Sequence, residues 1–301
     1  MKLFRAALFS LRKLCVLCAS AAISTALSAQ SDNSPWETVA PSGSTVYYDM
    51  KSALKDAPVC YRLDLTNADF VLDKKILPKV PKLTNLMALK LGNNHLTEIP
   101  SVFLDLPSLT YFSSANNPLT TINDSIGMLG SLRFIELYGT NFDTLPIALT
   151  GLERLQSLTI GQNKDTLFIP KEFSSLHNSL TELRIYSTIL DTLTPEFTNL
   201  DKLQKIVFYK CGLTYFPYHV SKLASLKELW LDSNNITEIP RYISNLQNLQ
   251  ILSLSGNKIQ HVPSTICFLK NLEVLDLRGN PIDPYEVACV QALLPECRIL
   301  F

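Results

Sequence analysis

Side chains able to serve as nucleophiles, acids, bases or metal ligands are scattered along this chain of 301 residues without the spacing that catalysis needs. Its four histidines, His95, His177, His219 and His261, form no His-x-x-x-His pair, and no cluster of cysteine or glutamate accompanies them. Cys15-x-x-Cys18 lies inside an N-terminal apolar run, where it carries no metal or redox meaning. No Gly-x-Ser-x-Gly elbow, phosphate loop or dinucleotide fingerprint occurs, and only ten glycines are available to build one. Carboxylates are numerous, so some must be neighbours, but an acid pair without a cleft is not a catalytic dyad. The expectation is a protein that is not an enzyme, with no cofactor and no metal. What does recur at fixed intervals is recognition chemistry: Phe134, Glu136 and Tyr138; Glu182, Arg184 and Tyr186; Lys205 and Tyr209; Glu228, Trp230 and Asp232. Aromatic rings and arginine set among carboxylates are the composition of interface hot spots.

The elements that must position these residues come from a repeat. Nine units share the pattern Leu-x-x-Leu-x-x-Leu-x-Leu-x-x-Asn-x-Leu-x-x-Leu/Ile-Pro, their first leucines being Leu83, Leu106, Leu129, Leu152, Leu176, Leu200, Leu223, Leu246 and Leu269. The steps are 23, 23, 23, 24, 24, 23, 23 and 23 residues, a constancy that marks a solenoid. In the clearest unit, Leu229-x-Leu231 has period two, so both leucines point inward and Trp230 points out, as in a short strand. Asn234 then turns the chain, its amide placed to bond backbone groups of adjacent coils. Ile236 and Ile239 return to the core, and Pro240 stiffens the step onto the outer side. Burying about seven apolar side chains at roughly 2 kcal/mol each does not offset ordering about 23 residues at roughly 1.5 kcal/mol each. A unit therefore needs its neighbours, and the array is cooperative.

On these motifs residues 59–301 resemble the leucine-rich repeat family, in its 23-residue classes with short convex segments. The resemblance implies an α/β fold: a right-handed horseshoe solenoid with a parallel concave sheet. Its strands are expected to be centred on Lys90, Ser113, Glu136, Thr159, Arg184, Val207, Trp230, Ser253 and Asp276. Thr140, Thr188 and Cys211 stand where the ladder asparagine belongs. Asn163 to Pro170 and Leu176 to Leu180 each carry one extra residue, so irregularity is expected around residues 161–190.

The expected organisation is a signal peptide at 1–29, a polar linker at 30–44, an N-terminal cap with a degenerate first coil at 45–82, nine repeats at 83–283 and a helix–strand cap at 284–301. Lys2, Arg5, Arg12 and Lys13 precede the apolar run Leu14–Leu27, which ends in small residues as an export signal does. That run is shorter than the roughly 20 residues of a membrane-spanning helix, so no integral segment is expected after cleavage. Cleavage would remove four of 27 basic residues and leave 23 against 27 acidic, a net charge of −4. With no basic stripe, nucleic acid is excluded as a partner. In the cap, Asp49–Ala57 reads as helix with Leu54 available to pack, and Val59-x-Tyr61-x-Leu63-x-Leu65 as an alternating strand. At the other end Asp283 caps a helix with Pro284 in its first turn, followed by the strand Ile299-x-Phe301. Similar endings occur in bacterial members of the family, which implies a bacterial exported protein. Cys60, Cys211, Cys267, Cys289 and Cys297 read as small apolar side chains, with Cys267 and Cys289 on consecutive coils as the one conceivable disulfide.

The residues before, between and after each Leu-x-Leu form three columns on the inner face. Strands about 4.8 Å apart make Tyr186, Tyr209 and Asp232 neighbours in one column, and Arg184, Val207 and Trp230 in another. A secreted, periplasmic or surface protein binding a protein partner there is the leading expectation, with a surface glycan as the other ligand. The alternatives are an adhesive surface component or, if the N-terminal segment is no signal, a cytoplasmic scaffold.

Overall fold

The computed structural model describes residues 34–68 and 75–301. The signal-peptide expectation and the first residues of the linker lie outside them. The chain divides into two units, Met1–Ser42 and Gly43–Phe301. Within the first lies a single turn of helix, α1 (Pro35–Thr38), in the stretch read as linker.

The second unit is one sheet of twelve parallel strands in strict chain order. These are β1 (Val46–Tyr47), β2 (Arg62–Asp64), β3 (Ala88–Lys90), β4 (Tyr111–Ala115), β5 (Phe134–Tyr138), β6 (Ser157–Gly161), β7 (Glu182–Tyr186), β8 (Lys205–Tyr209), β9 (Glu228–Trp230), β10 (Ile251–Ser253), β11 (Val274–Asp276) and β12 (Arg298–Leu300). Every residue expected at a strand centre is paired with the next, from Lys90↔Ser113 through Val207↔Trp230 to Ser253↔Asp276. The expected solenoid with its parallel concave sheet is the fold observed. The apolar residues of each coil fill its interior: Leu226, Leu229 and Leu231 are wholly buried, and their counterparts in the other repeats are buried too, with Ser114 in place of a leucine in the second.

Outer segments are short 3-10 turns such as Asp124–Met128, Pro195–Asn199 and Arg241–Asn245, each sinking one large apolar side chain (Ile126, Phe197, Ile243). A proline stands just before many of these turns, as Pro240 does, where its fixed φ sets the entry. A 3-10 turn is tighter than an α-helix of about 10–12 Å diameter. Outer segments of this kind stay close to the 4.8 Å strand repeat.

At one edge of the sheet the asparagine ladder closes the turns. Asn234 donates to the carbonyls of Phe208 (2.7 Å) and Leu231 (2.9 Å), and accepts from the amides of Cys211 (2.8 Å) and Leu213 (3.2 Å). Asn94, Asn117, Asn257 and Asn280 bond in the same manner. The substitutes are shorter. Thr140 donates to Asn163, and the Cys211 thiol to the carbonyls of Ile185 (3.3 Å) and Tyr209 (3.5 Å). Asn163 itself turns from the strand carbonyls to Phe142 and Asp165, within the stretch where extra residues promised irregularity. The extra length is absorbed outside the sheet, where Thr144 bridges to Phe168 and Leu167 to Leu190, and the strand register is untouched.

A second ladder, which the sequence did not reveal, runs along the opposite edge. Asn85, Ser108, Ser131, Asn248 and Asn271 each donate to a carbonyl of the preceding coil at 2.8–2.9 Å. Arg154 and Lys202 occupy the same phase in other coils.

The residue preceding each ladder position has a positive φ in all nine coils: Asn93, Asn116, Gly139, Gln162, Ser187, Lys210, Ser233, Gly256 and Gly279. Only three are glycine, and the left-handed region costs an L-residue about 1–2 kcal/mol. Gln162→Gly is therefore expected to stabilise the fold by about 0.5 kcal/mol, glycine's extra unfolded-state entropy offsetting part of the relief. A raised urea midpoint at unchanged slope would show it; an unchanged or lowered midpoint would refute it.

Two expectations for the caps need correction. Val59 is not a strand residue but ends a 3-10 turn, Ala57–Val59, with its side chain exposed. The inward set is Cys60, Leu63 and Leu65, all fully buried, because the three-residue turn precedes the period-two strand. Ahead of it, α2 (Met50–Lys55) is capped by Asp49, which accepts from Ser52 amide, and buries Met50 and Ala53 while Leu54 is only partly covered. At the far end α3 (Pro284–Leu293) is capped by Asp283, which accepts from Tyr285 amide. Glu286 accepts from Val262 amide at 2.5 Å and lies 2.9 Å from His261, fixing the helix to the last coils. Phe301 is exposed beyond β12. Cys60, Cys211 and Cys297 are buried, but Cys267 is half-exposed and Cys289 exposed, so these two are surface thiols rather than core side chains, and they are unpaired.

Candidate functional site

The three columns of the inner face are set by strand register. The first runs Phe134, Ser157, Glu182, Lys205, Glu228; the second Glu136, Thr159, Arg184, Val207, Trp230; the third Tyr138, Gly161, Tyr186, Tyr209. All eleven residues singled out from the sequence lie on this face. Ten are half-buried by one another, and Asp232 is covered.

Strand β6 explains the crowding. Its outward residues Ser157, Thr159 and Gly161 are small and buried, and larger neighbours lean across them. A Cβ on Gly161 would run into the Tyr138 ring, so Tyr138 lies flat over that glycine. Tyr186 and Tyr209 follow, ring centroids 6.4 Å apart and tilted by 54°. Between the columns runs a chain of charges. Arg184 pairs with Glu182 at 2.6 Å, and Lys205 with Glu228 at 2.9 Å and Glu182 at 3.9 Å. Ser157 donates to Glu182 at 3.0 Å, and Trp230 Nε1 to Glu228 at 3.1 Å. Each long side chain is thus held before any partner arrives, which lowers the entropy cost of binding.

Burial, then Glu136, push the Tyr138 hydroxyl well above the ordinary phenol range; burial does the same for Tyr186. Both stay neutral donors at physiological pH. Burial works against the charge of Arg184, but Glu182 and Tyr186 outweigh it and raise its pKa. The guanidinium is therefore a fixed cation.

Two residues behave otherwise than their sequence positions suggested. Val207 is 1 % exposed, roofed by Arg184 and Trp230 on the adjacent strands, and contributes packing only. Asp232 is not a solvated acid at the rim: it is 6 % exposed and accepts from Ser253 Oγ at 2.5 Å and Ser255 amide at 2.9 Å. Burial raises its pKa to about 6, with Asp276 adding to the rise and the Ser253 bond opposing it. Asp276 is itself paired with Arg278.

One contributor was missed. Tyr111, 1 % exposed, donates its hydroxyl to Glu136 Oε2 at 2.6 Å and so fixes that carboxylate. The 25-residue separation leaves no local signal, although Tyr111 and Phe134 fall at one phase of adjacent repeats. A second aromatic cluster lies away from the sheet. Tyr218 meets Tyr242 at 5.1 Å and Phe216 meets Tyr242 at 6.3 Å, beside the exposed Tyr215.

Among the described residues no three of His, Cys, Asp and Glu converge to hold a metal, and no helix is long and apolar enough to cross a membrane. Repeat, ladder and parallel sheet give this chain the fold of the leucine-rich repeat solenoids. The family model described as a leucine-rich repeat region matches residues 214–293. Bovine (Bos taurus) osteomodulin is 31 % identical over 119 residues, a stretch that is 38 % of this chain and 27 % of that protein. Among solved structures, an internalin (inlF) from Listeria monocytogenes superposes with a TM-score of 0.62 at 19 % identity, covering 85 % of this chain and 73 % of its own. The plant peptide hormone receptor RGFR1, solved in complex with RGF2, gives 0.61 at 21 % identity, covering 85 % of this chain and 42 % of its own.

Proposed function

We propose that this chain is an exported, non-catalytic recognition protein that binds a protein partner on the inner face of its sheet. The observation that carries this reading is the pre-ordered aromatic surface of Tyr138, Tyr186, Tyr209 and Trp230, braced by the Glu182–Arg184 and Lys205–Glu228 pairs. Rings held in one rotamer offer large contact area at small further entropy cost. On the same face Glu136 and Glu182 are engaged by neighbouring side chains, and burial keeps the Tyr138 and Tyr186 phenols neutral, which suits them to recognition. Export rests on the basic, apolar and small-residue pattern of residues 1–29. A mature intact mass starting near residue 30 would support it; full-length protein from the native source would overturn it.

Trp230→Ala and Tyr209→Ala are each expected to weaken partner binding by about 1–2 kcal/mol. Tyr215→Ala, an exposed ring off the sheet, should change nothing. The measurement is recovery of a native-extract partner on the three immobilised variants and the parent chain. Undiminished recovery on both inner-face variants, with loss on Tyr215→Ala, would move the site away from the sheet.

A further inference from the structure

We propose that the partner presents a lysine or arginine side chain to Glu136, on an extended segment laid across the tyrosines of the inner face. This rests on the reading that the partner binds that face. The central surface holds four carboxylates, Glu136, Glu182, Glu228 and Asp232, against two cations, Arg184 and Lys205. Both cations are already committed, Arg184 to Glu182 and Lys205 to Glu182 and Glu228. An acidic partner would have to strip them from these acids and leave half-buried carboxylates unpaired, which is costly. A basic partner disrupts none of this and meets a net negative surface.

Of the four acids, Glu136 is the one in position to receive it. Asp232 is covered, and Glu182 and Glu228 carry ion pairs. No cation of the described residues lies within ion-pair distance of Glu136, which accepts from the Tyr111 hydroxyl on Oε2. The strand neighbours of Glu136 are Ser113 and Thr159, both small, so the carboxylate stands over low ground between the Phe134 and Tyr138 rings. A flat cation entering there gains the carboxylate and the aromatic walls together. A contact of this kind stands at the corner just beyond β8, Lys210 Nζ lying 5.4 Å from the Tyr209 ring centroid. A neutral glycan fits less well, because the donors it would need (Ser157, Trp230 Nε1, Tyr111) are spent on the protein's own carboxylates.

The test uses a displayed library of random linear heptapeptides panned on the whole chain. An enriched peptide is then synthesised and titrated against the parent, Glu136→Gln, Glu136→Lys and Trp230→Ala. Glu136→Gln keeps an acceptor for Tyr111, and the melting transition of each variant verifies its fold. Enriched peptides are expected to carry Lys or Arg, to bind Glu136→Gln at least about tenfold more weakly, and to regain affinity for Glu136→Lys when that basic residue is changed to Glu. Peptides that lose binding to Trp230→Ala but not to Glu136→Gln would overturn the basic anchor and leave the inner-face reading standing. Peptides indifferent to both would overturn both. Failure to enrich any peptide would overturn the extended basic segment, while the native partner's response to Trp230→Ala would still decide the face.

Discussion

Asp232→Asn is expected to make the folded chain more stable at pH 7 by about 1–3 kcal/mol, and to lose that advantage near pH 4. Burial lifts the Asp232 carboxyl from 3.8 to about 6, so the folded state holds its proton more tightly than the unfolded chain does. A carboxyl shifted upward contributes stability below its unfolded value. That contribution drains away as pH climbs from about 4 to about 6, and above this window the charged form is a constant cost. Two units correspond to at most about 3 kcal/mol. Asparagine removes the charge, keeps an oxygen for Ser253 Oγ and Ser255 amide, and turns an amide rather than a second anion towards Asp276. Urea unfolding of parent and variant at pH 4 and pH 7 measures it. An Asn variant less stable at pH 7 would mean that the hydrogen bonds to the carboxylate outweigh its burial.

Asn234→Ala should act in the other direction, with a loss of about 3 kcal/mol or more. Four backbone groups, the carbonyls of Phe208 and Leu231 and the amides of Cys211 and Leu213, would lose their bond to its side chain. Each buried, unsatisfied group costs about 1–3 kcal/mol, some of it recovered by water at the turn. Trp230→Ala, four residues away with its ring half-exposed, should cost about 1 kcal/mol of lost burial. Equal losses for the two would mean that Trp230 belongs to the core and that the strand is out of register by one residue.

The strand register was legible residue by residue, because a two-residue alternation repeated every 23 positions, and once after 25, leaves no room for slippage. Cys60 shows where that reasoning overreached. Alternation read backwards from Leu65 reaches Val59, whereas the coil needs Cys60-x-x-Leu63, with a turn ahead of the strand. The site was legible as a list of outward residues but not as a surface. Whether Asp232, Val207 or Thr159 meets water depends on what stands on the adjacent strands. The pairing of Tyr111 with Glu136 likewise depends on how a ring lies between coils. The second ladder escaped notice since Asn, Ser, Arg and Lys all occur at its phase, and only the first two reach back to the preceding carbonyl.

The column of left-handed residues ahead of the ladder sets the terms on which such a chain can diversify. Its nine members are Asn, Gly, Gln, Ser and Lys, and none is β-branched or aromatic, since those side chains tolerate a positive φ least. A few residues earlier in each coil, on the inner face, tyrosine, arginine, tryptophan, glycine and serine stand in equivalent places. A duplicated coil can therefore exchange its displayed chemistry freely while the corner that bends it admits a short alphabet. Specificity is editable one coil at a time, and the architecture that presents it does not have to be rebuilt for each new partner.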